Sequence, residues 1–115
     1  MYKIEFYRDK NGNSEISEYF YDLAQRSKTD KNARINKNIK ELEEYGKRIG
    51  TPVVKHIEGN LWELRPLKNR IFFFYWKNNK FVLVHHFVKK TQKTPKKEIE
   101  KALLNIKDWL ERNGE

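Results

Sequence analysis

Apolar and charged residues alternate from Tyr2 to Phe6, the period of a half-buried strand, and the predicted strand runs on through Tyr7 and Arg8. Asp9-Lys10-Asn11-Gly12-Asn13 is a turn cluster, after which Asn13 or Ser14 can cap a helix. Ile16, Tyr19, Phe20, Leu23 and Ala24 then recur at helical spacing and make one apolar face. A second helix is predicted from a Thr29-Asp30 cap, with Ile35, Ile39, Leu42 and Tyr45 as its stripe and Gly46 and Gly50 as its stop, Pro52 lying just beyond. The short connection predicts a helical hairpin.

From Val53 the period changes to two. Val53–Ile57 reads as a short strand and Glu58-Gly59-Asn60 as a turn. In Leu61-Trp62-Glu63-Leu64-Arg65 the alternation sends Trp62 and Leu64 one way and Glu63 and Arg65 the other. Pro66-Leu67-Lys68-Asn69 turns the chain into Arg70–Trp76, a nearly continuous aromatic run that reads as a central strand covered on both faces. Lys77-Asn78-Asn79-Lys80 is a hairpin turn, since adjacent asparagines tolerate positive φ, and Phe81–Val88 is the next strand. Thr94-Pro95 starts a final helix, with a capping hydroxyl followed by proline at the first helical position. Its stripe is Ile99, Ala102, Leu103, Ile106, Trp109 and Leu110, and Gly114 can end it.

The predicted fold is α+β. An N-terminal strand and a helical hairpin pack on an antiparallel meander, a C-terminal helix follows, and residues 1–115 form a single domain. The helices are expected to cover one sheet face, leaving the other face, or the groove beside it, for Arg65, Arg70 and the residues after Val88. There is no internal repeat or linker in the sequence.

Charge changes this picture. The chain carries 25 Lys and Arg against 16 Asp and Glu, a net charge of +9. Eleven of the basic residues lie between Lys55 and Lys97, where the only acids are Glu58 and Glu63, so the rest of the chain balances at fourteen of each sign. A cationic segment this concentrated favours a polyanionic partner, because neutralising phosphates releases counterions. A solvated face or an acidic protein partner is the plainer alternative. The absence of cysteine excludes a disulfide scaffold, a thiolate zinc site and a cysteine nucleophile. No apolar run is long enough for a bilayer or a signal peptide, so a cytoplasmic protein without membrane association is expected.

Several chemistries are poor fits. There is no glycine-rich phosphate loop. Two-metal cleavage needs several convergent carboxylates, which the basic segment lacks. Neither N-terminal helix has the basic face of a major-groove reader. Metal-free RNA cleavage needs less, since RNA supplies its own 2′-hydroxyl. The enzyme must orient that oxygen, withdraw its proton and stabilise charge on the phosphate and the leaving 5′-oxygen. Arginine suits the phosphate oxygens, and lysine or histidine can move protons. Arg65, Arg70, His85, His86, Lys89, Lys90 and Lys93 include every type required. Arg65 could instead make a surface pair with Glu63, which would contribute little. His85 and His86 face opposite sides of one strand; simple alternation groups His86 with Val82, Val84 and Val88, and His85 with Phe81, Leu83 and Phe87. One is expected in the core and the other toward the cationic groove. The aromatic cluster Trp62, Phe72, Phe73, Phe74 and Trp76 reads as core rather than as base-stacking platforms.

Three ordered stretches resemble one family: Leu61-Trp62-Glu63-Leu64-Arg65, Asn69-Arg70-Ile71-Phe72-Phe73, and His85–Pro95 with Glu98-Ile99. They are similar to the phage-derived Gp49-like, HigB-type branch of the RelE/ParE toxin superfamily. The resemblance implies a RelE-like fold and the toxin half of a type II toxin–antitoxin pair, typically a ribosome-dependent mRNA endonuclease. It implies as partners mRNA on the ribosome and a cognate helix-turn-helix antitoxin, with a toxin–antitoxin heterotetramer as the expected assembly. It carries phosphate-binding and catalytic roles onto Arg65, Arg70, Lys89 and Lys90, with His86 as a further candidate. Lys55, His56, Lys68, His85, Thr91, Gln92 and Lys93 form the wider RNA-binding set. No tyrosine follows Val88, where several RelE-like enzymes carry one, so a histidine or lysine would serve there. No metal or cofactor is called for. The competing readings are a ParE-like gyrase inhibitor and a non-catalytic RNA-binding module.

Overall fold

The computed structural model describes residues 1–25, 30–50 and 53–115. Along the chain run β1 (Lys3–Phe6), α1 (Glu15–Gln25), α2 (Asp30–Tyr45), a 3-10 turn (Gly46–Ile49), β2 (Val54–Glu58), β3 (Leu61–Leu64), β4 (Asn69–Trp76), β5 (Lys80–Val88) and α3 (Lys96–Asn113). This is the α+β element order that the periodicity predicts, and it is consistent with the RelE-like fold that the resemblance implies. The expected Thr29 cap and Pro52 lie outside the described residues.

Local chemistry sets the element ends. The Asp9 carboxylate accepts from the Asn11 and Asn13 amides at 2.9 and 3.0 Å and shapes the first turn. Ser14 is the cap of α1, its hydroxyl accepting from the Ser17 amide at 3.1 Å. Gly46 closes α2 at φ 63°, directly under the Tyr2 ring, where a Cβ would stand 2.8 Å from a ring carbon. Asn78 and Asn79 take positive φ in the β4–β5 turn, as expected. On α2, Ile35 and Leu42 are buried, but Tyr45 is exposed and Asn38 takes a buried position instead.

The five strands form one mixed sheet in the order β1-β5-β4-β3-β2. Strands β2 to β5 make the predicted antiparallel meander, and β1 adds to β5 in parallel, Lys3 opposite Lys80 and Phe6 opposite Leu83. Both faces are covered. Ile16 and Leu23 of α1 and Ile35 and Leu42 of α2 pack with Leu64, Ile71, Phe73, Phe81 and Leu83. Ala102, Ile106 and Trp109 of α3 pack on the other face with Leu61, Phe72, Phe74, Val82, Val84 and Phe87. The expectation of one open sheet face is therefore corrected. α3 is long and apolar enough on its inner side to bury that face, so what stays open is the end of the sheet beyond the α3 N-terminus.

A bulge corrects the histidine assignment as well. Phe72 pairs with His85 but Phe73 pairs with Leu83, leaving Val84 as the extra residue. One inserted residue reverses the parity of everything after it. His85 thus shares the α3 face with Val82 and Phe87, and His86, opposite Ile71, shares the α1–α2 face with Leu83.

Candidate nucleic-acid interface

The C-terminal ends of β3 and β5 and the start of β4 meet at one end of the sheet. Arg65, Lys68, Arg70, Lys89, Lys90, Thr91 and Gln92 line an open groove there of about 570 Å³. Five of the seven are cationic and none is acidic, so the groove concentrates positive potential. The turn between β3 and β4 is pinned to the strand end beside it, the Lys89 amide donating to the Lys68 carbonyl at 2.8 Å. Within that turn Leu67 takes φ 58°, a left-handed conformation that leucine rarely adopts. That twist brings its carbonyl to Arg70 Nη1, which donates to it at 2.8 Å and to the Asn69 carbonyl at 2.9 Å.

The two arginines differ. Arg70 is only 8% exposed. Burial holds its pKa below the ordinary arginine value, with Glu63 opposing that shift and Arg65 adding to it. The Arg65 side chain is 24% exposed. Between them lies Glu63, 1% exposed, with Oε1 at 3.4 Å from Arg65 Nε and 3.6 Å from Arg70 Nε. The expected Arg65–Glu63 pairing therefore forms, but with its carboxylate buried and not on the surface, because Arg70 and the segment ahead of α3 enclose Glu63. The Thr94 hydroxyl, expected to cap α3, donates to Glu63 Oε2 at 3.3 Å instead. Pro95 becomes the residue preceding the helix, without a side-chain cap.

The remaining candidates lie elsewhere. His85 is buried against α3, its Nε2 at 2.8 Å from Glu98 Oε1. His86 stacks on Tyr19, ring centroids 3.9 Å apart. Burial first, and the neighbouring His85 second, push its pKa down to about 4, so it is neutral at pH 7. Both histidines line a separate cavity of about 320 Å³ with Tyr7, Glu15, Lys101 and Asn105, away from the basic groove. Lys55 lies opposite Glu63 on the edge strand β2. His56 turns back to the Gly59 carbonyl at 2.8 Å and packs on Trp62. Lys93 is exposed, and its carbonyl accepts from the Thr91 hydroxyl at 2.7 Å. None of Lys55, His56, His85, His86 and Lys93 lines the groove. Leu67 belongs to the site's construction without any signal in the sequence reading, and Glu63 and Thr94, expected as a surface partner of Arg65 and a helix cap, belong to it as well.

Among the described residues no group of three His, Cys, Asp or Glu side chains could hold a metal ion, and no helix is long and apolar enough to cross a membrane. No curated protein matches the chain. A family model does: residues 22–107, which include every residue lining the basic groove, match the phage-derived Gp49-like proteins, and the chain belongs to that family.

Proposed function

We propose that this Gp49-like protein is the toxin of a type II toxin–antitoxin pair and acts as an mRNA endonuclease on the translating ribosome. The observation that carries the reading is the groove in which Arg65, Lys68, Arg70, Lys89 and Lys90 converge without a lining carboxylate. Such a surface accepts a phosphodiester backbone and offers proton carriers beside it. The RNA 2′-oxygen attacks the adjacent phosphorus, the bond to the 5′-oxygen breaks, and the products are a 2′,3′-cyclic phosphate and a 5′-hydroxyl. Arg65 stabilises the charge on the phosphate oxygens. Lys89 and Lys90 are the groove's candidates for taking the 2′-proton and returning one to the leaving oxygen, since His86 is neutral and outside it. Arg70 acts from beneath. A helix-turn-helix antitoxin is the expected neutralising partner.

The test is incubation of the purified protein with translating ribosomes in the presence of a metal chelator, followed by mapping of mRNA ends. Cleavage within the message, lost in Arg65→Ala, is the expected result. Intact mRNA together with inhibited gyrase supercoiling would replace this reading with a ParE-like one.

A further inference from the structure

We propose that Glu63 is the positioning residue of the basic groove: a buried carboxylate that grips Arg65 at Nε and so presents both of its Nη groups to the ligand. This rests on the reading of the groove as a phosphate site.

A carboxylate 1% exposed must be compensated. Glu63 is met from three elements: Arg65 Nε at the end of β3, Arg70 Nε on β4, and the Thr94 hydroxyl ahead of α3. The two arginine contacts, at 3.4 and 3.6 Å, are ion pairs rather than aligned hydrogen bonds, and both Nε–H groups are buried without another acceptor. Arg70 is also spoken for at Nη1, which donates to two backbone carbonyls. It is thus fixed to the β3–β4 turn. Glu63 is ion-paired to Arg70, and Arg65 is ion-paired to Glu63. Arg65 makes no side-chain hydrogen bond among the described residues, and it lines the groove.

The order of these contacts has a chemical consequence. Held at Nε, the planar guanidinium keeps one orientation, and its two Nη groups form the fork that meets two phosphate oxygens. A fork oriented beforehand loses less freedom when the phosphate arrives and is aimed at the charge that develops in the transition state. Glu63 also separates two like charges that would otherwise repel across the end of the sheet. The use of Thr94 is independent support. Its hydroxyl, expected from the sequence to cap α3, serves Glu63 while the helix starts from Pro95 without a side-chain cap.

Glu63→Gln keeps the shape and removes the charge. Cleavage should fall by tenfold or more. Affinity for a single-stranded RNA made uncleavable by a 2′-deoxy substitution should hold or tighten, because the groove becomes more positive by one charge. A merely structural role would lower both together. Parallel loss of binding and cleavage, or unchanged cleavage, would overturn the proposal. If Glu63→Gln does not fold, Glu63→Asp retracts the carboxylate by one methylene and should lower kcat with KM unchanged; an unchanged kcat would count against it. With Arg65→Ala already present, Glu63→Gln should cost no further cleavage. Nitrogen-15 spectra of the arginine Nε–H groups separate this inference from the activity itself. The Arg65 resonance should be sharp in the wild type and exchange-broadened in Glu63→Gln, whereas an unshifted, sharp resonance in the variant would sink the inference. Should the wild type cut no RNA, the functional reading fails, and the Arg65 resonance alone decides the role of Glu63.

Discussion

The His86 imidazole lies almost parallel to the Tyr19 ring, centroids 3.9 Å apart and planes inclined by 18°, while the Tyr19 hydroxyl donates to the Asn69 carboxamide oxygen at 3.0 Å. One tyrosine of α1 therefore clasps both β5 and the start of β4. Burial lowers the His86 pKa from 6.5 to about 4, and His85 and Lys101 add to the shift against Glu15 and Glu98. The unfolded chain binds this proton more readily than the folded one. The stabilisation is thus complete above about pH 6.5 and is lost as pH falls toward 4, on the order of 2 kcal/mol once partial exposure is allowed for. Thermal unfolding from pH 7 to 4 should show wild type losing more stability than His86→Phe, which keeps the stack but cannot titrate. Equal acid sensitivity of the two proteins would contradict the assignment. His86→Phe should also retain RNA cleavage within a few-fold, because His86 lies outside the groove.

Arg65 and Arg70 should separate cleanly under mutation. Arg65→Ala removes the exposed fork but leaves Glu63 paired with Arg70, so Tm should move by only a few degrees while cleavage falls by about a hundredfold or more. Arg70→Ala removes a buried cation that holds Glu63 and two carbonyls together, a loss of about 3–5 kcal/mol. Its Tm should drop by about 10 °C or more. Calorimetry and end-mapping on the same preparations check both; matching profiles for the two variants would refute the division of labour.

The elements were legible in the sequence because each depends on its own residues: the two-residue period of β3 and β5, the helical stripes, the Asn78-Asn79 turn. What was not legible depends on where distant elements land. The parallel pairing of Phe6 with Leu83 joins segments far apart in sequence. The Val84 bulge exists only relative to Phe72 and Phe73 across the ladder, and it moved both histidines away from the faces that simple alternation assigns. Glu63 read as a surface acid because nothing local to β3 says that Arg70 and Thr94 will enclose it. Thr94 read as a helix cap for the same reason: its alternative partner is 31 positions away. The groove itself was largely readable, since Arg65, Lys68, Arg70, Lys89, Lys90, Thr91 and Gln92 come from two chain segments joined by one hairpin.

Leu67 sits at φ 58° and is 48% exposed, so its side chain gains little from packing while its backbone carries strain. Asparagine tolerates this conformation and does not loosen the unfolded chain as glycine would. Leu67→Asn should raise stability by roughly 0.5–1 kcal/mol, read as a higher urea midpoint at unchanged slope. Cleavage should persist, because the carbonyl that receives Arg70 belongs to the backbone. A lower midpoint would mean that the leucine side chain holds the turn by contact.

RNA binding through the groove, and not through the chain's diffuse charge, would show in its salt dependence. Counterion release makes log affinity fall linearly with log salt, by about 0.7 per phosphate neutralised on a single strand. Lys68, Lys89 and Lys90 line the groove, whereas Lys55, opposite Glu63 on the edge strand β2, does not. Single Lys→Ala changes at 68, 89 and 90 should each shallow the slope by about 0.7 on an uncleavable RNA, and Lys55→Ala should leave it unchanged. All four carry the same formal charge change, so net charge is held constant across the comparison. If Lys55→Ala matches the others, binding follows the overall +9 and the groove has no privileged place in it. If only the three groove lysines respond, the phosphates run along the line where Lys68 and Lys89 are joined backbone to backbone.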